Sequence, residues 1–308
     1  MQGPKGAYEL TINGQKKSLF EMNFDNIKRV KEKYNVSPIW LIMTSRENDL
    51  QTREFFENKK YFDYDKNKII FFKQGEMPIL DINGKMVLEN RYTIKEASNG
   101  NGDVFRALNK SNIISKLKEI GIKYLYFGGI DNILANPMDY IFLGLMIAHD
   151  YKIAAKSIFK EEALEKEAVF CKINGKPSIL GYDYITKEMS NLKDNDGKYL
   201  YRDKNILAHL MTIEVIEKAA KLELEYHRVY RKNTYLDINS DKEKYIREQS
   251  FKFEKFIFDI FKKFDEMLLL RVSKEKEFAP IKNLEGNYSV KSATKLYNNY
   301  WNNWRENK

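Results

Sequence analysis

Lys123-Tyr124-Leu125-Tyr126-Phe127-Gly128-Gly129-Ile130-Asp131-Asn132 is the stretch on which the fold turns. Residues 124–127 are aromatic and aliphatic without polar alternation, the pattern of a strand buried on both faces in a parallel sheet. Two glycines and an Asp-Asn pair then stop it. In open α/β sheets, ligands gather beyond the carboxyl ends of the strands. A carboxylate at Asp131 is placed to hold a hard cation such as Mg²⁺ against phosphate oxygens. The plainer alternative is an aspartate that caps the next helix.

Outward from that strand the chain alternates. Phe24, Ile27, Val30 and Tyr34 keep helical spacing, and residues 38–43 form a buried-type strand closed by Thr44-Ser45. Residues 50–56 give the helix after it, and residues 69–72 another strand ending in Lys73-Gln74-Gly75. Asn83-Gly84 between two apolar runs signals a hairpin. Asn99-Gly100-Asn101-Gly102 precedes one helix with Val104, Phe105, Leu108, Ile113, Ile114 and Leu117 on its apolar side. Beyond the central strand, a helix over 140–148 leads to a strand over 153–159. This alternation predicts a doubly wound α/β fold of Rossmann-like type with a mostly parallel, mixed sheet.

The second half is less regular. Asn174-Gly175 suggests a hairpin, residues 194–197 a polar turn, residues 205–211 an edge of the core and residues 212–222 a helix. Residues 240–250 are charged and read as a mobile loop. Phe253, Phe256, Ile257, Ile260, Phe261, Phe264 and Met267 give the stripe of a long core helix, followed by a strand over 268–272. Residues 290–304 are amphipathic through Leu296, Tyr297, Tyr300, Trp301 and Trp304, aromatics that cover the core or face a partner segment.

Across 308 residues, 53 Lys and Arg stand against 44 Asp and Glu, a net charge of +9. That excess is compatible with nucleic acid, a membrane surface or phosphorylated small molecules. Lys and Glu are interleaved throughout with no isolated basic block, which favours small molecules and argues against nucleic acid or membrane. One cysteine, Cys171, excludes a disulfide framework and fits a reducing compartment, and no secretory signal or membrane-length apolar run is visible. The expectation is a soluble cytoplasmic protein.

Four loops fall at the expected carboxyl ends of strands: Thr44-Ser45, Lys73-Gln74-Gly75, residues 99–102 and Asp131-Asn132. A parallel sheet would place them on one rim. Glycines there let backbone N–H groups approach a ligand, and the following helix offers a partly positive N-terminus to anions; the alternative is an ordinary turn. Gln74 presents both a donor and an acceptor, as reading the edge of a base requires. Lys5, Lys156 and Lys282 could supply charge to phosphates, or could each be a solvated lysine. No Ser-His-Asp or Cys-His arrangement stands out, and His149, His209 and His227 read as structural.

The order of these motifs resembles the UTP-dependent sugar-1-phosphate uridylyltransferases, in particular the UDP-N-acetylhexosamine pyrophosphorylase branch, with UDP-glucose pyrophosphorylases more distant. The residues that carry the resemblance are Gly3-Pro4-Lys5-Gly6, Ser18-Leu19-Phe20, Met43-Thr44-Ser45, Phe71-Phe72-Lys73-Gln74-Gly75 and Pro78. Next come Asn99-Gly100-Asn101-Gly102 with Arg106-Ala107-Leu108, and Ile130-Asp131-Asn132. Lys252, Glu254-Lys255-Phe256-Ile257-Phe258-Asp259, Glu277-Phe278-Ala279-Pro280-Ile281-Lys282-Asn283 and Ala293-Thr294 complete the set, in family order.

The resemblance implies a nucleotidyltransferase core over residues 1–300, with a nucleotide-binding half at 1–160, a β-rich sugar-binding half at 161–288 and an amphipathic tail at 289–308. A sugar-1-phosphate would attack the α-phosphorus of UTP in line, giving a UDP-sugar, UDP-N-acetylglucosamine first and UDP-glucose second, with pyrophosphate leaving. Gln74 and Gly100 would read uracil and Asn101 and Asn205 the sugar. Lys5, Lys156 and Lys282 would face phosphates, with Lys5 and Lys282 catalytic, and Asp131 would hold Mg²⁺. The family's glycine-rich phosphate loop and its strand would lie immediately ahead of Gly3, and a small C-terminal domain beyond about residue 300, so the chain reads as truncated. Ala168, Gly181, Lys204 and Ala208 depart from the family's sugar pocket, and Lys73 from its first glutamine. The competing expectation is therefore a non-catalytic nucleotide-binding remnant or subunit, homo-oligomeric or completed by another chain.

Overall fold

A computed structural model describes residues 3–12, 14–163, 165, 167–240 and 242–306. The N-terminal hairpin, β1 (Glu9–Ile12) and β2 (Gln15–Ser18), ends on a reciprocal cap. The Ser18 hydroxyl accepts from the Glu21 N–H while the Glu21 carboxylate accepts from the Ser18 N–H. That cap starts α1 (Leu19–Tyr34) five residues before the apolar spacing alone indicates, and Asn35 ends it in the left-handed conformation. α1 buries Leu19, Phe20, Met22, Phe24 and Ile27. Phe20, with Trp40 and Phe55, packs around the fully buried Phe56. Each ring removed from water contributes roughly 1.5–3 kcal/mol.

β3 (Trp40–Thr44), α2 (Asp49–Asn58) and β4 (Ile69–Lys73) form a strand–helix–strand unit with β3 and β4 parallel. The short strands β5 (Glu76–Pro78), β6 (Leu80–Asp81), β7 (Leu88–Asn90), β8 (Thr93–Ile94) and β9 (Glu96–Ser98) follow, with a turn at Asn83-Gly84 as expected. The single helix expected next is two, α3 (Val104–Lys110) and α4 (Ile113–Glu119), because Asn112 takes a positive φ between them. Both pack on β4, on α7 (Ile213–Ala219) and on the residues around Ile260.

β10 (Tyr124–Gly128), the central stretch, pairs antiparallel with β14 (Asp203–Thr212). α5 (Tyr140–Ala148) and β11 (Ile153–Phe159) stand where the sequence puts them. β12 (Val169–Ile173) and β13 (Lys176–Leu180) form the hairpin at Asn174-Gly175, and α6 (Lys187–Asn191) precedes β14. β14 is not an edge. It lies inside a sheet of order β13-β12-β14-β11-β17, where β17 is Leu268–Arg271, and β10 also hangs from it.

Two further expectations fail. Residues 245–250, expected within a mobile loop over 240–250, instead belong to strand β16 (Tyr245–Glu254), paired along its length with β15 (His227–Leu236). The apolar stripe from Phe253 is not a long helix: β16 ends at Glu254, and residues 257–263 form a 3₁₀ helix. α8 (Lys274–Glu277) and α9 (Val290–Glu306) close the chain. Tyr297 and Trp301 of α9 cover a core of Leu10, Ile12, Leu19 and Ile133, and Arg29 stacks 3.9 Å over Trp301. The side chain of Trp304, like Met1 and Gln2, lies outside the described residues.

The architecture is thus mixed α/β. Among the strands of the described residues, parallel pairing is confined to β3–β4 and β11–β17, so a doubly wound, mostly parallel sheet does not describe it. β3 and β10 have no partner on one edge, and between them lies a cavity of about 880 Å³. Consecutive residues 39–44 and 121–130 line it, so it runs along the two strand edges and not across one face. No helix among the described residues is long and apolar enough to cross a membrane.

Candidate active site

Gln74 is fixed just beyond β4, because its N–H still donates to Thr44 O at 2.9 Å and so extends the β3–β4 ladder. Opposite it, Gly100 has φ +90° and a hypothetical Cβ there would lie 2.7 Å from Lys255 N, closer still to the Lys255 carbonyl. Gly102 meets the backbone of Lys255 and Phe256 in the same way, and its N–H donates to Lys255 O at 2.9 Å. The glycines of this loop are therefore required by the strand end of β16, which sequence reading assigned to close approach of a ligand. Asp103, just ahead of α3, makes no side-chain cap to the helix; its carboxylate accepts from Gly75 N–H and pairs with Arg106.

Met43, Gln74, Ser98, Gly100, Asn101, Glu254 and Phe256 line one cavity of about 270 Å³. Gln74, Gly100 and Asn101 thus share a pocket. Ser98, Glu254 and Phe256 were missed as pocket residues, and for Phe256 the reason is specific: helical spacing made it core, whereas it lies just past a strand end. The Asn101 carboxamide accepts from Ile257 N–H at 3.0 Å through Oδ1, and its Nδ2 donates to no partner among the described residues. Behind the loop, Asn99 is fully buried and neither end of its carboxamide has a partner among the described residues, an arrangement that calls for a water or ligand.

Asn101 and Met43 also line the larger cavity, as do Lys5 and Gly129-Ile130. Lys5 pairs with Asp131 at 3.4 Å, so the carboxylate, which lines neither cavity itself, is tied to a residue that lines the larger one. Asp131 is held from behind. Its carbonyl accepts from Ile281 N–H, and the buried Asn132 donates to Glu277 O and accepts from Ala279 N–H. These bonds clamp residues 277–281 to the end of β10 and bring the exposed Lys282 one residue from the clamp. Asp131 caps no helix; α5 is capped by Asp139.

The remaining expected site residues line neither cavity. Lys156 is fully buried, its ammonium 2.7 Å from Asp139, 2.5 Å from Glu277 and over the Phe142 ring. Burial raises the Glu277 carboxyl pKa while Lys156 draws it back down. That ammonium is committed to two carboxylates and is not presented to a phosphate. Asn205 sits in β14, its Oδ1 3.0 Å from both Leu207 N and His209 Nε2. Among the described residues no cluster of three or more metal-ligating side chains forms, so Asp131 offers a single carboxylate. Mg²⁺ is commonly held by one or two carboxylates with substrate phosphates completing the shell, and Asp131 fits that role.

A UDP-N-acetylglucosamine pyrophosphorylase of Saccharomyces cerevisiae is 31% identical over 294 residues, covering 92% of this chain and 61% of that protein. A UDP-N-acetylglucosamine diphosphorylase of Arabidopsis thaliana is 31% identical over 311 residues, covering 95% of this chain and 60% of its own length. The uridine diphosphate N-acetylglucosamine pyrophosphorylase of Trypanosoma brucei superposes with a TM-score of 0.82 at 29% identity, over 96% of this chain and 61% of that one. A T. brucei UDP-glucose phosphorylase, at 18% identity and TM-score 0.69, shares the fold. This chain spans about three fifths of the length of such curated relatives. The sequence pattern of the UTP–glucose-1-phosphate uridylyltransferase family matches residues 1–304, and the chain belongs to that family.

Proposed function

We propose that this chain is the catalytic core of a uridylyltransferase that joins UTP and N-acetylglucosamine-1-phosphate into UDP-N-acetylglucosamine and pyrophosphate. The observation that carries the reading is one pocket holding Gln74, Gly100 and Asn101, with Asn101 also lining the larger cavity that Lys5, the ion-pair partner of Asp131, lines. Gln74 pairs its carboxamide with the uracil edge, the Gly100 backbone supplies the complementary contact, and Phe256 gives the base an apolar wall. A phosphate oxygen of the sugar phosphate forms the new bond to the α-phosphorus as the bond to the bridging oxygen breaks. Pyrophosphate takes the electron pair. The attacking oxygen is already ionised, so no side chain has to remove a proton. Lys5 and Lys282 neutralise phosphate charge as point charges, and Asp131 would hold Mg²⁺. When bound, that ion supplies charge compensation at the α-phosphate. Asn101 Nδ2 faces the sugar, and Asn205, which lines neither cavity, is assigned to the sugar by the family resemblance alone. Lys156 acts at a distance, by anchoring Glu277 and with it the segment that ends in Lys282.

Pyrophosphate release from UTP and N-acetylglucosamine-1-phosphate tests the reading. Release should require Mg²⁺, fall at least a hundredfold in Asp131→Ala, and be weaker with glucose-1-phosphate, the runner-up substrate. Tight UTP binding without product would favour a second reading, a nucleotide-binding subunit. The unpaired edges of β3 and β10 support that reading, since a second chain could complete them. The single cysteine and the ionic substrates fit a cytoplasmic setting.

A further inference from the structure

Asn205 and His209 are four residues apart in β14, which in a regular strand would separate them by about 13 Å. Their side chains nevertheless meet at 3.0 Å. The reason is a bulge. Ala155 pairs with His209 and Ser157 with Asn205, so residues 206–208 are squeezed opposite the single Lys156. Leu207 takes φ +52° at its centre, and its N–H donates to Asn205 Oδ1 at 3.0 Å, closing an Asx turn.

That bond fixes chemistry as well as shape. An N–H cannot donate to an amide NH₂, so the carboxamide atom turned into the bulge is the oxygen. His209 Nε2 faces the same oxygen and must therefore carry the proton, which leaves Nδ1 bare. His209 Nδ1 is indeed buried and without a partner among the described residues. The ring is fully buried, meets Phe261 edge-on and has Phe127 and Ala155 across the sheet. Desolvation alone pushes its pKa down to about 3. Asn205 Nδ2 has no partner among the described residues and is the one polar group of that side chain left over.

We propose that His209 is a positioning residue that locks the Asn205 carboxamide with its NH₂ outward, making Asn205 a dedicated donor to an acceptor oxygen of the sugar phosphate. The inference rests on the uridylyltransferase reading and adds to it a tautomer and a direction of hydrogen bonding. His209→Phe keeps the ring but removes the donor, and His209→Gln restores an N–H where Nε2 was. Asn205→Asp keeps the acceptor and removes the NH₂.

Affinities for UDP and UDP-N-acetylglucosamine, compared by calorimetry, read the sugar contribution directly. The increment of the sugar nucleotide over UDP should fall about fivefold to tenfold in His209→Phe and Asn205→Asp and return in His209→Gln, one neutral hydrogen bond's worth. An unchanged increment in His209→Phe overturns the proposal. Long-range ¹H–¹⁵N NMR of the wild-type imidazole gives a readout without ligand. It should show protonated Nε2 and bare Nδ1 from about pH 5 to about pH 9; a protonated Nδ1 in that range also overturns it. Wild-type protein that binds neither nucleotide while showing the expected tautomer sinks the functional reading, and with it the role assigned to the outward NH₂.

Discussion

Gly100 shows how a single residue ties the base pocket to the fold. Its φ of +90° and the Lys255 backbone against its Cα each exclude a side chain. Gly197 has a similar φ of +75° but nothing within 4 Å of a hypothetical Cβ. Replacing each by alanine separates the two costs. Gly197→Ala should lose about 1–2 kcal/mol, the strain of a left-handed non-glycine residue. Gly100→Ala adds a clash with main chain that cannot rotate away, and should lose about 3 kcal/mol or more together with UDP affinity. Urea denaturation of both variants checks this; equal losses would mean that β16 yields at Lys255. Gln74, Gly100 and Asn101 were legible because they sit within two residues of strand ends or glycines. Asn99 and Phe256 were not, since nothing in the local sequence tells that a buried carboxamide lacks partners or that an aromatic follows a strand.

Among the elements, β11 and α8 are joined by a buried charge cluster whose cost and benefit depend on pH. Lys156→Met would leave Asp139 and Glu277 facing each other without their cation. Removing one partner of a buried pair costs about 3–5 kcal/mol. The Glu277 pKa is already raised by burial, and without Lys156 it rises further. A carboxyl with a folded pKa above its unfolded value favours the folded state at pH below the unfolded value and loses that contribution as pH climbs through the folded value. The deficit of Lys156→Met should accordingly be largest near neutral pH and shrink as the pH falls towards about 4.5. Urea midpoints of both proteins along that range test it, and a deficit independent of pH would mean that Glu277 is not the group involved. Elements with buried faces, such as α1, β4 and β11, were readable because their apolar spacing reports the packing. β16 was not. Its partner β15 satisfies its main chain while Arg247, Glu248 and Gln249 stay exposed, so the residues that would betray a strand are charged or polar. Residues 257–263 keep helical spacing without an α-helix, because the Asp259 carboxylate takes the Phe256 N–H and His227 and holds a tight 3₁₀ turn instead.

For the molecule as a whole, the decisive feature is the gap between β3 and β10. The alternation of elements predicted one continuous sheet, and the rim it implies is largely present, yet the sheet is divided. β3 pairs only with β4 and β10 only with β14 among the described residues. The cavity between them is lined by apolar side chains such as Leu41, Ile42, Leu125 and Phe127, and its two sides are rows of main-chain donors and acceptors. Unpaired edges of this kind pair with other chains unless charge, proline or a covering element blocks them. The edges face inward, so what they accept is an extended segment, and a segment is available from any second molecule at sufficient concentration. Sedimentation or light scattering should therefore show the mean mass rising with protein concentration. Leu41→Lys places a charge on the β3 edge and should suppress that rise while leaving the fold, followed by circular dichroism, in place. A protein that stays monomeric across a hundredfold range of concentration, and is no different with lysine at 41, would mean that the two edges close on each other in solution and that the slot is not a surface for association.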